Sequence, residues 1–252
     1  GGLGKGAGDG GVRGQKARER DAGRKGAVVT GGTSPLGQAS CQQRVADGLH
    51  VIVHTHNNPA RGSTMVADFT AQGGRAEVWQ CDLSCSEKTR QGLDPVLADG
   101  VPQIIVHNAG THEDATLAGM SDAQWPNVIG VSLNGLFNVV QPLLLPLTRT
   151  RSGRIIALSS VSARIGNKGQ VNYAAAKAGL EGAVRSLARE VGSRGITVNA
   201  VAPGIIESPA TAAVMTARDI AELVPARRSG TPQEVADLIA FLASDKAAYI
   251  SG

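Results

Sequence analysis

The stretch Ala27-Val-Val-Thr-Gly-Gly-Thr-Ser-Pro-Leu-Gly37 joins a short apolar run to a glycine-rich turn, and it decides the fold. The apolar run is typical of a buried parallel strand. Ser34 suits the N-cap of a helix and Pro35 its first turn, so a helix follows directly. Glycines in such a turn let the backbone approach a pyrophosphate, which the N–H groups of the helix N-terminus can bind. The stretch therefore predicts a dinucleotide-binding strand-turn-helix unit, with a plain connecting turn as the alternative.

Downstream, further apolar runs alternate with amphipathic stretches of helical period. We expect strands at 27–30, 51–54, 76–80, 104–107, 154–159 and 197–201. We expect helices at 36–47, 60–73, 86–99, 122–149, 172–193 and 232–243. Strands that alternate with helices imply right-handed crossovers and a parallel sheet. The predicted fold class is α/β, a Rossmann-type doubly wound parallel sheet with helices on both faces, in a single domain over residues 24–252.

Residues 1–23 form a glycine-rich, basic leader with almost no large apolar side chains, which we predict to be flexible and disordered. Residues 1–25 carry seven of the 25 basic and three of the 21 acidic residues, so the rest of the chain has 18 of each. Aromatic residues make up only 3% of the chain, too few for a base-stacking surface. We therefore expect no nucleic-acid partner, although contact of the leader with a polyanion stays open.

The sequence also bears on the cellular compartment. The three cysteines (Cys41, Cys81 and Cys85) form no C-x-x-C pair, so they are interpreted as free thiols of a reducing cytoplasm. No apolar run approaches the roughly 20 residues that span a bilayer, and no secretory signal is recognised. We expect a cytoplasmic protein without membrane contact. Residues 249–252 follow the last predicted helix without another strand, so we expect the last strand of the sheet to be missing.

The end of the second predicted strand bears on the choice of nucleotide. It reads His54-Thr55-His56-Asn57-Asn58, with no acid to bind the adenosine ribose. Because a carboxylate there would repel a 2′-phosphate, its absence favours NADP(H) over NAD, although no arginine stands at the same point. His54 and His56 as metal ligands are the alternative, but no third ligand has useful spacing. We expect no metal site.

A serine, a tyrosine and a lysine form the candidate catalytic group. Ser160 follows the fifth predicted strand, and Tyr173 and Lys177 stand four residues apart on the next long helix. Residues i and i+4 share a helix face, so phenol and ammonium can meet in one cleft. We expect the ammonium to lower the pKa of the tyrosine from about 10, so that the phenol protonates a carbonyl oxygen while Ser160 holds that oxygen.

With these residues in place, the chain resembles the short-chain dehydrogenases/reductases over residues 24–252, and most closely the 3-oxoacyl-acyl-carrier-protein reductases among them. The motifs that carry the resemblance are TGGTSPLG at 30–37, CDL at 81–83, HNAG at 107–110, Ser160, NYAAAKA at 172–178, SLAREV at 186–191, RGITVN at 194–199 and PG at 203–204. The resemblance implies an NADPH-dependent oxidoreductase that reduces a 3-oxoacyl thioester on acyl carrier protein to the 3-hydroxyacyl form, in fatty-acid or polyene-type biosynthesis.

The resemblance also implies roles for individual residues. Tyr173 would be the acid, Lys177 would hold the nicotinamide ribose and tune the tyrosine, and Ser160 would orient the carbonyl. The other cofactor-binding candidates are Gly31, Thr33, Ser34, Leu36, Gly37, His56, Asn57, Asp82, Leu83, Asn108, Ala109, Gly110, Pro203, Gly204, Ile206 and Ser208.

Three residues depart from the pattern of that family. Pro35 replaces the middle glycine of the turn and removes one N–H donor, and His107 replaces an asparagine. Ser132 aligns with the catalytic asparagine of the central helix, where it would bind a relay water or a backbone carbonyl. Asn134, two positions on, is expected to point elsewhere. These departures leave open a weakly catalytic nucleotide-binding subunit.

Two arginines and one apolar run bear on the binding of a carrier protein and on contacts between subunits. Arg151 and Arg194 match positions that dock the acidic carrier protein in the resembling reductases, with ordinary solvated charges as the alternative. The run 139–147 predicts either a contact between subunits of a homodimer or homotetramer, or a core helix. If the arginines do not dock a carrier, a reductase or dehydrogenase of a free small ketone or alcohol is the alternative function.

Overall fold

The glycine-rich turn forms as predicted in a computed structural model that describes residues 26–252. It joins β1 (Gly26–Thr30) to α1 (Pro35–Ala46), with Ser34 as the N-cap. The Ser34 Oγ accepts a hydrogen bond from the backbone N–H of Gly37 at 3.1 Å. The predicted leader, residues 1–23, lies outside the described residues.

The predicted alternation of strands and helices is confirmed, with the ends of each predicted element within two residues of those observed. The remaining strands are β2 (His50–Thr55), β3 (Arg75–Gln80), β4 (Ile104–His107), β5 (Gly153–Leu158) and β6 (Ile196–Val201). The remaining helices are α2 (Pro59–Ala71), α3 (Ser86–Asp99), α4 (Gln124–Ile129), α5 (Gly135–Thr150), α6 (Ser162–Ile165), α7 (Val171–Val191), α8 (Pro209–Val214), α9 (Ala217–Leu223) and α10 (Pro232–Ala243).

The six strands of the described chain form one parallel sheet in the order β3-β2-β1-β4-β5-β6. Strand β1 therefore lies between β2 and β4, where the direction of winding reverses. Loops that leave the two central strands diverge there and open a crevice at their carboxyl ends, the usual ligand site of such sheets. The predicted Rossmann-type α/β fold is confirmed.

Two apolar layers hold the helices against the sheet. One face packs side chains of α3, α5 and α7, including the fully buried Leu143 and Leu180. The other face packs α1, α2 and α10, including Phe69 and Ile239. Truncating a fully buried leucine to alanine removes about 2–5 kcal/mol of stability, so these layers fix the strands whose ends carry the site.

Helices α4 and α5 are joined by a π-helical turn over Gly130–Asn134. Together they form one helix, Gln124–Thr150, where the sequence predicts 122–149. Of the part of the chain that the structure describes, this helix alone is long and apolar enough to cross a membrane by length and composition. Half of its most apolar window is buried inside the fold, and core helices commonly meet the same criterion.

Within the described residues, no strand follows α10. Residues 250–252 nevertheless run along the outer edge of β6. The backbone N–H of Gly252 donates to the carbonyl oxygen of Val198 at 2.8 Å, and the N–H of Val198 donates to Ser251 Oγ at 3.1 Å. Residues 250–252 thus lie along the edge of β6 that faces away from β5.

Candidate active site

The turn after β1 is held open by glycines that no other residue can replace without movement. Gly31 adopts a φ of 61°, in the left-handed region that favours glycine. A Cβ at Gly37 would overlap the carbonyl oxygen of Gly31, so α1 starts directly against the turn. The predicted residues Thr33 and Ser34 are half-buried in the same turn, where Thr33 Oγ1 lies 3.2 Å from Thr55 Oγ1. The turn therefore presents backbone, not side chains, to a ligand.

His54 supports this turn from β2. The backbone N–H of Gly31 donates to His54 Nδ1 at 3.0 Å, and His54 Nε2 lies 3.0 Å from the carbonyl oxygen of Cys81. Burial lowers the pKa of His54 to about 4, so the ring is neutral. Both ring nitrogens are engaged, which argues against the metal-ligand alternative. No group of three potential metal-ligating side chains occurs in residues 26–252.

Asn108 ties the ends of β1 and β4 together. Its Nδ2 lies 3.2 Å from the carbonyl oxygen of Thr30, 3.0 Å from that of Gly31 and 3.1 Å from Ser34 Oγ. Three acceptors on one amide fix the turn relative to β4, as expected at the crevice of a doubly wound sheet.

The residues predicted to bind the adenosine part of a dinucleotide lie beyond β2 and β3. His56 and Asn57 are exposed directly after β2. Asp82 is half-buried, and hydrogen bonds from Ser84 hold the pKa of its carboxyl below the usual value. Leu83 is different, because its side chain is 2% exposed and packs in the core. Only its backbone can face a ligand.

One cleft of about 270 Å³ brings nine of the predicted site residues together. It opens at the carboxyl ends of β4, β5 and β6. Among the residues that line it are Leu36, Asn108, Gly110, Ser160, Tyr173, Lys177, Pro203, Gly204 and Ile206. Residues from four separate loops thus converge on the Ser160, Tyr173 and Lys177 side chains.

Tyr173 does not have the lowered pKa that the sequence predicts. Burial raises the pKa of its hydroxyl, a hydrogen bond with Ser160 opposes this, and the Asp114 carboxylate adds to the rise. The Lys177 Nζ lies 5.5 Å from the centroid of the tyrosine ring and donates to the carbonyl oxygen of Leu158 at 2.6 Å. The expectation that Lys177 lowers the pKa of Tyr173 is therefore wrong for this structure, because the ammonium lies over the ring face.

A raised pKa suits an acid that must be protonated at neutral pH. Burial lowers the pKa of Lys177 itself to about 8, because the ammonium is only 4% exposed. The pair thus combines a protonated phenol with a cation that titrates near the physiological range.

Ser132 lies in the π turn, fully buried, with its Oγ unpartnered among the described residues. A Cβ placed on Gly110 would be 3.3 Å from Ser132 Oγ and 3.2 Å from Lys177 Nζ, so the structure does bring Ser132 to the lysine. Asn134 is exposed, as expected for a residue on another face of the helix.

The loop after β6 closes the cleft on its far side. Ser208 does not line the cleft but caps α8, where its Oγ accepts a hydrogen bond from the N–H of Thr211 at 3.0 Å. Helices α8 and α9 follow this loop, and neither was predicted from the sequence. Capping patterns at Ser208 and Thr216 were the available signal.

Arg151 and Arg194 do not lie near the cleft. Both are exposed and precede β5 and β6, at the opposite end of the sheet from Ser160. A side chain on Gly195 would overlap the carbonyl oxygen of Arg151, so the loops that carry the two arginines lie side by side.

Sequence reasoning also missed supporting residues. Glu181 is 6% exposed, accepts a hydrogen bond from Ser159 Oγ at 2.9 Å and pairs with Arg164 Nε at 2.6 Å. It thereby anchors α6, which follows Ser160. A glutamate one turn beyond Lys177 on the buried helix face was the signal that pointed to it.

Comparison with known proteins bears directly on this cleft. A family model described as enoyl-(acyl carrier protein) reductase matches residues 31–252, which include the whole cleft. The chain belongs to the short-chain dehydrogenase/reductase family. As a member of this family it is an oxidoreductase with a nicotinamide cofactor, and the glycine turn beside the helix N-terminus of α1 fits the pyrophosphate of such a cofactor.

Three similar curated proteins carry the name 3-oxoacyl-[acyl-carrier-protein] reductase FabG. The protein of Pseudomonas aeruginosa is 41% identical over 229 residues, which cover 90% of this chain and 92% of that protein. The protein of Staphylococcus epidermidis is 37% identical over 231 residues, 90% and 95% of the two chains. The protein of Aggregatibacter actinomycetemcomitans is 36% identical over 226 residues, 89% and 93% of the two chains.

Proposed function

We propose that this short-chain reductase uses NADPH to reduce a 3-oxoacyl thioester on acyl carrier protein to the 3-hydroxyacyl form, in fatty-acid or polyene-type biosynthesis. The observation that carries the proposal is the convergence of Ser160, Tyr173 and Lys177 on one cleft at the switch point of the sheet. The names of the relatives direct the choice of substrate.

Each of the three residues has a distinct task. Tyr173 donates its hydroxyl proton to the carbonyl oxygen of the substrate, because its raised pKa keeps it protonated at neutral pH. Ser160 holds that oxygen, since its hydroxyl already lies within hydrogen-bond reach of Tyr173. Lys177 supplies positive charge beneath the site and contacts the ribose next to the nicotinamide. When bound, NADPH supplies the hydride that reduces the carbonyl carbon.

The cofactor is held mainly by backbone. The N-terminus of α1 and the turn at Gly31 and Gly37 bind the pyrophosphate, which avoids any need for a cationic side chain there. The other residues proposed to contact the cofactor are Thr33, Ser34, Leu36, His56, Asn57, Asp82, Leu83, Asn108, Ala109, Gly110, Pro203, Gly204, Ile206 and Ser208.

The preference for NADPH rests on the residues after β2. His56 and Asn57 leave no carboxylate to repel a 2′-phosphate. Arg61, in the first turn of α2, supplies a guanidinium whose Nη2 donates to Gln38 Oε1 on α1 at 2.9 Å. It therefore spans the two helices that flank the adenosine side of the turn, and we assign it to the 2′-phosphate.

Carrier docking involves Arg151 and Arg194, in a cytoplasmic homodimer or homotetramer. Tyr173 is near the start of α7 and Arg194 is just past its end, and 21 helical residues span about 31 Å. We propose that a carrier docked on the arginines, this far from the cleft of its own copy, delivers its substrate to the cleft of a second copy. Phe137 and Leu145 of α5, each 63% exposed, supply an apolar face for that contact. The buried residues of the run 139–147 lie in the core: Val139, Val140, Leu143 and Leu147.

A panel of substrates tests the proposal. Oxidation of NADPH is followed by nicotinamide absorbance with acetoacetyl-carrier protein, a small acetoacetyl thioester, a free ketone and crotonyl-carrier protein. We expect the highest kcat/KM with acetoacetyl-carrier protein. A higher value with the free ketone would favour the small-ketone alternative. Activity confined to the crotonyl substrate would favour the enoyl reduction named by the family model. Cofactor binding without any oxidation would identify a non-catalytic nucleotide-binding subunit.

A further inference from the structure

His112 brings an imidazole into the cleft beside the proposed proton donor. It lies in the loop that follows β4 and is one of the residues that line the cleft. Its ring centroid is 6.3 Å from that of Tyr173, and the two ring planes are nearly perpendicular, at 78°. The loop thus places a group that can form hydrogen bonds next to the phenol that would protonate the substrate.

The loop that carries His112 is tied to the start of α7, directly beside Tyr173. The fully buried Asn172 donates from Nδ2 to the carbonyl oxygen of Glu113 at 3.1 Å. The Oδ1 atom of the same amide accepts a hydrogen bond from the N–H of Tyr173 at 2.8 Å. Because one amide holds both segments, the loop beside His112 keeps its place relative to the phenol.

The acidic neighbours of His112 are engaged elsewhere. Glu113 Oε1 accepts a hydrogen bond from Asn127 Nδ2, and Asp114 Oδ2 accepts one from Gln170 Nε2 at 2.9 Å. The imidazole itself is exposed and makes no hydrogen bond or ion pair with any residue that the structure describes. In either tautomer it therefore has an N–H that is free for a ligand.

Two other polar side chains at the cleft are used within the fold. Asn108 Nδ2 donates to the carbonyl oxygen of Gly31 at 3.0 Å, and Thr211 Oγ1 donates to that of Ile206 at 2.8 Å. The serine and tyrosine hydroxyls of the catalytic group are committed to the ketone oxygen in the proposed reaction. His112 therefore remains as a donor for a second oxygen of the substrate.

The proposed substrate carries such an oxygen. In a 3-oxoacyl thioester, one CH₂ group separates the ketone from the thioester carbonyl, so both oxygens lie in the cleft when the ketone is bound at Tyr173. The thioester carbonyl can only accept hydrogen bonds, which matches the free N–H of His112. A simple ketone or alcohol has no acceptor at that position.

We propose that His112 donates a hydrogen bond to the thioester carbonyl of the substrate and thereby selects 3-oxoacyl thioesters over simple ketones. The inference rests on the proposed carbonyl reduction and adds a specificity-determining residue to it. No bond of the thioester forms or breaks during the reduction, so its oxygen gains no formal charge as hydride reaches the ketone carbon. A contact that is equally strong in the ground state and the transition state changes KM and leaves kcat unchanged.

Two variants of His112 separate the hydrogen bond from the packing against Tyr173. His112→Phe keeps an aromatic ring but has no donor, whereas His112→Gln loses the ring and keeps an amide N–H donor. His50→Phe is the matched control, because His50 is also a partly exposed histidine but begins β2, at the opposite end of the sheet from the cleft.

Two substrates are compared with NADPH. One is the acetoacetyl thioester of N-acetylcysteamine, and the other is the thioether in which CH₂ replaces the thioester carbonyl. His112→Phe should raise the KM for the thioester about fivefold, the equivalent of one net hydrogen bond, with kcat retained and the KM for the thioether nearly unchanged. His112→Gln should recover most of the affinity for the thioester, and His50→Phe should match the wild type on both substrates.

Several outcomes would overturn the proposal. Equal changes of KM with both substrates would show a packing role, and a fall of kcat with both would show that His112 acts through Tyr173. Thr111 lines the same cleft, so a loss confined to the thioester in Thr111→Val but not in His112→Phe would assign the contact to the threonine. Melting temperatures identify variants that fail to fold, and His112→Ala replaces His112→Phe in that case.

A binding measurement keeps this inference distinct from the proposed function. NADPH cannot react with an alcohol, so calorimetric titration of the NADPH-bound protein with the 3-hydroxybutyryl thioester and with its thioether reports affinity alone. The wild type and His50→Phe should bind the thioester more tightly, and His112→Phe should bind both alike. If this pattern is present but the wild type reduces no 3-oxoacyl substrate, the proposed function fails and the contact stands. If the preference is absent from the wild type or persists in His112→Phe, the contact fails even where the reduction is observed.

Discussion

Single side chains at the base of the cofactor turn couple its structure to pH. His54 and His107 are both buried and neutral, with pKa values lowered to about 4 and about 3. In the unfolded chain each takes up a proton below about pH 6.5. The unfolded state therefore binds more protons than the native state as the pH falls, and the native state loses stability.

This coupling predicts how steeply the free energy of unfolding changes with pH. Between about pH 6 and pH 5, the free energy of unfolding should fall by about 1.2 kcal/mol for each of the two histidines. Denaturant titrations at a series of pH values measure it. His107→Asn, which cannot titrate there, should reduce the slope by the share of one histidine. The same slope in wild type and variant would show that His107 is not a buried neutral ring.

Arg61 is the residue to which the choice of nucleotide is assigned. Arg61→Ala should raise the KM for NADPH by about tenfold, since loss of a charge-assisted hydrogen bond removes about 1.5–3 kcal/mol. The KM for NADH should hardly change, because NADH has no 2′-phosphate. The KM for NADH of each preparation is therefore the control for its KM for NADPH. Equal effects on both nucleotides would exclude a contact with the 2′-phosphate.

Residue types alone predicted the Ser160, Tyr173 and Lys177 group, because strand ends and helical spacing fix where such side chains lie. The direction of the pKa of Tyr173 was not predictable. It depends on burial and on where the lysine Nζ points, and here Nζ is drawn to the carbonyl oxygen of Leu158. The neutral state of the buried His107 ring likewise depends on its surroundings, which include Thr30 and Ser132, both distant in sequence.

At the scale of elements, the close packing of β1, the following turn and α1 requires glycines, which have no side chains. A Cβ at Gly37 would overlap the carbonyl oxygen of Gly31, and backbone cannot move aside cheaply. Gly37→Ala should therefore destabilise the fold by about 1–3 kcal/mol and weaken NADPH binding. Gly192→Ala is the control, because a Cβ there meets nothing within 4 Å and φ is −55°. Thermal melts and NADPH titrations of both variants check this, and equal stability would contradict the steric account.

Elements with a strong apolar periodicity could be predicted from the sequence, whereas short helices could not. Helices α3 and α10 begin and end where the sequence places them. Each buries an apolar face, and α10 also starts with a capping box formed by Thr231 and Glu234. Helices α8 and α9 span six and seven residues, bury no side chain and were missed. The π turn was missed too, because its residues fit an ordinary helical period.

For the whole molecule, the position of the proposed docking arginines, Arg151 and Arg194, predicts that carrier and cleft belong to different copies. Arg151→Glu with Arg194→Glu should depress turnover of carrier-bound substrate and spare a small thioester analogue. The double variant is then mixed with Tyr173→Phe, which keeps both arginines but lacks the proton donor. In hetero-oligomers the mixture should regain activity on carrier-bound substrate, because one copy supplies the arginines and the other supplies Tyr173. Each parent alone should have low activity on that substrate.

The recovery of activity in the mixture requires that the two variants form hetero-oligomers. Phe137→Asp with Leu145→Asp should shift the protein to a smaller species in light scattering and abolish the complementation. Complementation that persists in monomers would contradict delivery between copies, and no complementation in intact oligomers would place docking and reduction on one copy.

The central claim is that Tyr173 is the proton donor of a carbonyl reductase, and Tyr173→Phe tests it most directly. NADPH oxidation with acetoacetyl-carrier protein is compared in wild type and variant, with NADPH binding followed by fluorescence. We predict unchanged binding and a loss of kcat of at least about a hundredfold, the lower range for general acid catalysis. A variant that binds NADPH and turns over as fast as the wild type would contradict the account.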